Sequence, residues 1–209
     1  MRPSQEILNW LKLGLVLPSG SIMETFYFDK RDNEFFSVVL FDHFILEENM
    51  NRSSDVITDY SKSQESSLID RIKRIEIKDP TIIPVPRVSL DDRKNVMQKF
   101  VDTLSDPILV DILNQRIKNQ DYSTKFDFYF GNEAESVTKQ KWEDTKLHFL
   151  NQEVDKFLKL NKINVDSATL WLENTGNFIQ INLKPTQTHE KQKKKKKNQN
   201  KNPWWKFWY

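Results

Sequence analysis

The amino-acid sequence predicts an α+β fold with an N-terminal helix and β-hairpin, a mainly helical middle and a C-terminal β-hairpin. Two segments, 24–46 and 168–183, alternate aromatic or β-branched residues around polar turns, as hairpins do. Four other segments repeat apolar residues at helical spacing. The 209 residues include 14 Phe, far more aromatic content than a wholly disordered chain has. We expect one domain over residues 1–183, followed by a disordered, lysine-rich segment over residues 184–209.

The N-terminal half is predicted to hold the first helix, the first hairpin and a long connection. The helix begins at the N-cap residue Ser4 and ends before Pro18. Residues 29–33 form the polar turn of a hairpin within β-structure over 24–46, and residues 35–41 are so continuously apolar that both faces of that strand should be buried. Residues 47–67 are polar, and we expect a long, flexible connection there.

The second half is predicted to contain three helices and a closing hairpin. After a proline-rich, extended stretch, Ser89 caps one helix and Pro107 occupies the first position of the next. A longer helix spans about 135–160, and its buried face includes Trp142 and Phe149. The closing hairpin over 168–183 turns at residues 174–177, which include a Gly and two Asn.

The charge of the chain is divided unevenly. Residues 184–209 contain nine Lys and one Glu, whereas residues 1–183 contain 23 basic and 29 acidic side chains. Residues 184–209 therefore have a charge of +8 and residues 1–183 a charge of −6. Contact with a polyanion is expected in residues 184–209 and not in the acidic domain.

Several short stretches occur together between Pro80 and Ile163. They are IPVPR at 83–87, RKNVMQKF at 93–100, the phenylalanines around 126–130, Trp142, Phe149 and FLKLNKI at 157–163. With the acidic hairpin FYFDKRDNEFF that precedes them, they resemble a bacterial family, uncharacterised protein family 0158. Residues 168–209 depart from the family's pattern. The resemblance implies a fold but no activity, cofactor or site residue.

No motif for catalysis or metal binding is present in the sequence. The chain has no Cys, and its three His, at positions 43, 148 and 189, form no zinc-binding pattern. Glu47 and Glu48 could act as an acid–base pair, but a solvated strand end is the better explanation, because acidic residues are ordinary surface residues. His43, beside Asp42, is the titratable residue of most interest, and a structural hydrogen bond explains it better than catalysis. We therefore expect no cofactor and no metal.

The most distinctive feature of the sequence is the segment 184–209. Five consecutive lysines precede a stretch in which five of the last six residues are aromatic. Lysines follow phosphates and exposed aromatic rings stack on bases, which is typical of single-stranded nucleic-acid binding. Lysines with Trp and Tyr also suit an anionic membrane surface. The candidate polyanion-binding residues are Lys193, Lys194, Lys195, Lys196, Lys197, Trp204, Trp205, Phe207 and Trp208.

The sequence as a whole favours a non-enzymatic binding or adaptor protein that contacts a nucleic acid or an anionic membrane through this segment. Three alternatives stay open: an enzyme with a site assembled around His43, a structural protein with an inert segment, and docking of the aromatic residues on a protein partner. No stretch approaches about 20 apolar residues, and no signal peptide is recognisable, so a cytoplasmic location is expected.

Overall fold

The computed structural model describes residues 3–17, 24–47, 50–54, 56–57, 60–119, 126–128, 130, 136–171 and 180–181. The predicted fold class is confirmed, because helices pack against a mixed sheet. The helices are α1 (Pro3–Val16), α2 (Lys62–Glu76), α3 (Leu90–Val101), α4 (Pro107–Asn119) and α5 (Ser136–Asn161). The strands are β1 (Glu24–Asp29), β2 (Glu34–Val39), β3 (Val56–Ile57), β4 (Ile82–Pro84), β5 (Thr169–Leu170) and β6 (Gln180–Ile181).

The main sheet has four strands in the order β4-β1-β2-β5. The predicted first hairpin is confirmed, since β1 and β2 are antiparallel with Glu24 opposite Val39 and Asp29 opposite Glu34. At the end of its turn, Asn33 has a φ of 53°, a left-handed conformation that Asn tolerates better than most residues. Strand β4 adds antiparallel to β1, and β5 adds parallel to β2.

The closing strands pair differently from the predicted C-terminal hairpin. β5 joins the main sheet beside β2, whereas β6 pairs antiparallel with β3 in a separate two-stranded sheet. The Trp171 amide donates to the Phe35 carbonyl at 2.7 Å, which fixes β5 in the main sheet. Alternation of apolar residues shows that a segment is extended, but the partner strand depends on tertiary contacts. The predicted turn at 174–177 lies outside the described residues.

Two other segments also differ from the predicted structure. Residues Leu40–Ile45, expected to continue β2, form a 3₁₀ helix, because the Asp42 carboxylate accepts a hydrogen bond from the Val39 amide at 2.7 Å and turns the chain. The polar stretch 47–67 is shorter as a connection than expected, since α2 begins at Lys62. Ser61 and Gln64 form a reciprocal capping box at its start.

The sheet has two unlike faces because successive side chains of a strand point in opposite directions. On one face, Phe26, Phe28 and Phe35 join the larger apolar core, which α1, α3, α4 and α5 cover. On the other face, Phe36 and Val38 join a smaller core with residues of α2. The near-continuous apolar run in β2 is thus explained by burial on both faces, as predicted.

Trp142 of α5 is fully buried in the larger core, as predicted. Its ring lies 4.8 Å from Phe128 and 5.3 Å from Phe100, and its indole N–H donates to Asp127 at 2.6 Å. Phe149 packs against the same core but is only partly buried. Two predicted helix starts are also correct: Ser89 caps α3, and α4 begins at Pro107.

Candidate functional site

Two arginines of α2 lie under the sheet and are held by acidic residues of the first hairpin. Arg71 and Arg74 are three residues apart, so they share one side of the helix and face the same strand. Arg74 donates to both carboxylate oxygens of Asp29, with an Nη1–Oδ1 distance of 2.9 Å, and its Nε lies 2.8 Å from Asp70. Asp29 has no exposed surface. These contacts attach α2 to the end of β1.

Arg71 extends the ion pairs to the other strand of the hairpin. Its Nη2 contacts Asp32 at 3.2 Å and also Glu34, and its Nε lies 3.4 Å from Asp29. The guanidinium is stacked against the rings of Phe36 at 4.7 Å and Trp171 at 5.6 Å. Its Nη1 atom is buried without a hydrogen-bond partner among the described residues. This arginine is 1% exposed and forms part of the core.

The ion pairs hold the buried carboxylate in its charged form. Burial alone would raise the pKa of Asp29, but hydrogen bonds from Arg74 and from the Arg31 amide outweigh it and lower that pKa below its usual value. Hydrogen bonds from Thr81 likewise lower the pKa of Asp79, and the Arg31 guanidinium adds to this effect. Both carboxylates therefore stay ionised at neutral pH and serve as acceptors.

A groove of about 400 Å³ opens beside this network, between the end of α2 and the outer strand of the sheet. Its volume lies within the range of about 300–1,000 Å³ that is usual for ligand pockets. Arg74 and Asp79 contribute to it, and most of its remaining surface is apolar. The other lining residues are Tyr27, Ile75, Lys78, Pro80, Ile82 and Pro84.

The hydroxyl of Tyr27, which lines this groove, has a shifted pKa. The pKa of Tyr27 is raised, mainly because its hydroxyl is buried. The nearby Glu76 carboxylate also raises this pKa, and a hydrogen bond with Thr25 only partly opposes the change. Tyr27 is therefore neutral at physiological pH and can donate a hydrogen bond. Its ring stacks on Phe36 at 5.3 Å, which holds it in place at the groove wall.

The strand that borders the groove offers no free backbone donor there. The Ile82 amide already donates to the Asp79 carbonyl at 3.0 Å, and Pro84 has no amide hydrogen. Neighbouring backbone groups pair with β1, since the Val85 amide donates to Phe26 and the Lys30 amide to Thr81. An extended peptide that needs donors from β4 cannot add to this edge, so a ligand of the groove must bind mainly through side chains.

The residues considered for catalysis do not meet in one site. His43 lies at the surface with its Nδ1 3.5 Å from Glu76, while its neighbour Asp42 is buried. The hydroxyl of Tyr60 lies 3.5 Å from the Asp42 carboxylate, which also holds the Val39 amide. Glu47 is exposed to solvent, and Glu48 lies outside the described residues. Asp42 thus has a structural role.

Other sequence-based candidates have simple structural roles or lie elsewhere. The turn after β1 is the hairpin turn expected, and its Asp29 binds arginine. Among the residues that the structure describes, no three His, Asp or Glu side chains are grouped as metal ligands. No described helix combines the length and apolar content that a membrane crossing requires. The nine candidate polyanion-binding residues between Lys193 and Trp208 lie outside the described part of the chain.

Comparison with protein-family models, curated proteins and solved structures gives no match for this chain. The resemblance to uncharacterised protein family 0158 therefore stays a prediction. The site must be interpreted from its own geometry.

Sequence reasoning missed both the buried arginines and the groove. The segment that contains Arg71 and Arg74 is typical of either a short helix or a strand, and their partner Asp29 is 45 residues away from Arg74 in sequence. One local signal was available: the S-x-x-Q pattern at 61–64 is a capping box that predicts a helix over the following residues. Such a helix would have placed the two arginines on one face with Leu68 and Ile72.

Proposed function

We propose that the protein is a non-enzymatic binding protein that contacts a polyanion, a nucleic acid or an anionic membrane, through residues 184–209. The observation that supports the proposal most strongly is the separation of charge, +8 in this segment against −6 in residues 1–183. A polyanion is attracted by residues 184–209 and repelled by residues 1–183.

The buried cations of the described domain are used internally, which removes three of the 23 basic side chains of residues 1–183 from contact with a polyanion. Arg71 and Arg74 are paired with Asp29 and its neighbours. Arg93 is also fully buried, and it donates to the backbone carbonyls of Val88 at 3.1 Å and Leu17 at 2.7 Å. Burial and the nearby Arg87 lower the pKa of this guanidinium. The guanidinium groups of these three arginines are engaged by carboxylates or backbone carbonyls of the domain.

The lysines and the aromatic residues of the segment would contribute in different ways. Lys193–Lys197 neutralise phosphates and release counterions, so their contribution falls as salt rises. Trp204, Trp205 and Trp208 stack on bases, at about 1–3 kcal/mol for each base, or insert at a lipid interface. Both contributions can be measured separately because they differ in salt dependence.

The experiment compares two polyanions, a fluorescent single-stranded oligonucleotide and vesicles containing anionic lipid, in a series of salt concentrations. Replacing the five lysines by Gln should flatten the dependence of log K on log salt by a slope of about 3–4, since each neutralised phosphate contributes about 0.7 for a single strand. Replacing the three tryptophans by Ala should weaken binding with little change in that slope. The ligand that binds more tightly, the oligonucleotide or the vesicles, identifies the class of partner.

A control variant replaces three lysines of the folded domain. Lys141, Lys156 and Lys159 lie on α5, and Lys156 is 71% exposed. Their replacement by Gln should leave the salt slope unchanged. If the wild-type chain binds neither polyanion at low salt, or if the α5 variant loses as much affinity as the variant of residues 193–197, the proposal is wrong.

A further inference from the structure

We propose that the groove beside Arg74 holds one or two of the aromatic side chains of residues 204–209 of the same chain when no polyanion is bound. This contact would be an autoinhibitory one, because it withdraws the rings that otherwise stack on bases or enter a lipid interface. The proposal goes beyond the polyanion function, and the groove could hold these residues even if that function were wrong.

The groove has the chemistry that an aromatic side chain needs. Tyr27, Ile75 and Ile82 provide an apolar wall, and Pro80 and Pro84 provide rigid edges. With a volume of about 400 Å³ the groove is suited to one or two side chains and not to a large ligand. Tyr27 also supplies a neutral hydroxyl at the wall, which can pair with an indole N–H or with a tyrosine hydroxyl.

The net charge of the domain suits this occupant, and within the groove lining Asp79 offsets one of the two cations, Arg74 and Lys78. Glu76 lies between the groove residues Ile75 and Lys78, and its side chain is 51% exposed beside His43. Residues 204–209 include one lysine, Lys206, and the lysine run precedes them. An acidic domain of charge −6 attracts this segment of charge +8 toward its surface. An unrelated apolar peptide would lack this attraction.

The chain can reach the groove from the last described strand. β6 ends at Ile181 and pairs with β3, five residues before the start of α2. Helix α2 then runs from this end of the molecule to the groove, and its 15 residues span roughly 22 Å. The 22 residues between Ile181 and Trp204 can span at most roughly 75 Å. The five residues from β3 to α2 and the helix itself together span at most about 40 Å, so the chain is long enough for the contact.

Covalent linkage also explains why residues 204–209 of the same chain, and not a separate peptide, are the expected occupant of the groove. A short flexible linker gives an effective concentration on the order of 1 mM. A groove that binds an aromatic side chain only weakly would be filled at that concentration, whereas a free peptide at micromolar concentration would leave it empty. A polyanion that binds the lysines and stacks on the tryptophans would then compete with the groove for the same rings.

The proposal can be tested in the full-length protein with one spin label. The chain has no Cys, so Lys206→Cys gives a single labelling site. Paramagnetic broadening of backbone amides should be strongest at Tyr27, Ile75 and Lys78 in the groove. Amides around Leu160, at the C-terminal end of α5 and not part of the groove lining, should be broadened at least threefold less. Equal broadening at both places, or none at the groove, would overturn the proposal.

Two variants and their control distinguish docking from accidental proximity. In the labelled protein, Ala at positions 204, 205, 207, 208 and 209 should remove most of the groove broadening, and this change leaves the sequence of the folded domain intact. Pro84→Glu, at an exposed position in the groove, should do the same, while Leu160→Glu, at a 78% exposed position elsewhere, should not. Broadening that persists in the alanine variant would refute the aromatic contact.

A mixture of isotope-labelled protein and spin-labelled unlabelled protein decides whether the contact is within one chain. Broadening at the groove in the mixture would show that a second copy is the occupant, which contradicts the proposal. Addition of a single-stranded oligonucleotide tests the polyanion function separately. If groove broadening is present but the oligonucleotide and anionic vesicles do not bind, docking stands and the polyanion function fails; the reverse result rejects docking alone.

Discussion

The two faces of the main sheet are stabilised by different chemistry. The face toward α5 buries the rings of Phe26, Phe28 and Phe35 in the larger apolar core. The face toward α2 buries two guanidinium groups and the carboxylate of Asp29 among fewer apolar residues. Both faces are therefore packed, but only the second one depends on exact charge pairing.

This difference shows how charge and groove are related in the molecule. Apolar burial stabilises in proportion to area, whereas removing one partner of a buried ion pair is costly because the other charge is left uncompensated. The acidic side chains of the first hairpin form ion pairs with the arginines of α2, and the groove beside them is mainly apolar. The ionic face thus provides a rigid support for a surface whose own chemistry is neutral.

The largest effect is expected from the apolar face. Trp142→Ala should lower the free energy of unfolding by about 3–5 kcal/mol, because it removes the largest fully buried side chain and the hydrogen bond to Asp127. Denaturant titration measures this loss. Leu160→Ala, at an exposed position of the same helix, should change stability by less than about 0.5 kcal/mol. A loss below about 1 kcal/mol for Trp142→Ala would mean that this face is not the main core.

A somewhat smaller effect is expected from the ionic face. Asp29→Asn should cost about 3 kcal/mol, because Arg71 and Arg74 then lack their shared carboxylate while Glu34 and Asp70 remain. Asp70→Asn is the matched control, since that carboxylate is 61% exposed, and it should cost less than about 1 kcal/mol. Equal losses in the two variants would show that the buried pair has no special weight.

Acid should weaken the ionic face before the apolar one. Asp29 and Asp79 have lowered pKa values in the folded protein, so below about pH 4 the unfolded chain binds protons that the folded chain does not. Stability is therefore expected to be constant from neutral pH down to about pH 4 and to fall at lower pH. Denaturant titrations at a series of pH values should show this fall, and it should be smaller in Asp29→Asn. An identical fall in the variant would contradict the assignment to Asp29.

The smallest effect is expected at His43. Its contact with Glu76 is exposed on both sides, and an exposed ion pair contributes at most about 1 kcal/mol. His43→Ala should therefore change stability slightly and leave oligonucleotide binding unchanged. A loss of binding or of a detectable activity in this variant would favour the alternative of a site built around His43.

Local patterns predicted most of the helices and the first hairpin. Ser89 and Pro107 mark helix starts by interactions within a few residues, and the apolar spacing around Trp142 reflects one face of α5. These features depend on neighbouring residues, which the sequence displays directly. The burial of Trp142 follows from the same spacing.

Long-range pairing could not be predicted in the same way. Whether β5 pairs with β2 or with β6 depends on residues more than 130 positions apart, such as Thr169 and Asn33. The burial of Arg71 depends on Asp29, Asp32 and Glu34, which a polar turn would otherwise leave in solvent. Propensity and periodicity contain no information on either contact. The groove likewise depends on long-range packing, of the end of α2 against β1 and β4, and the sequence pattern alone therefore does not reveal it.

The central claim is that the cations able to bind a polyanion lie in residues 184–209 and not in the folded domain. The most direct test is the binding of a single-stranded oligonucleotide at low salt by the full chain and by the chain shortened to residues 1–183. Circular dichroism and thermal unfolding of both proteins check that the domain is intact. We predict that the full chain binds, that its affinity falls steeply with salt, and that the shortened chain does not bind detectably. Equal affinity of the two proteins would contradict the claim.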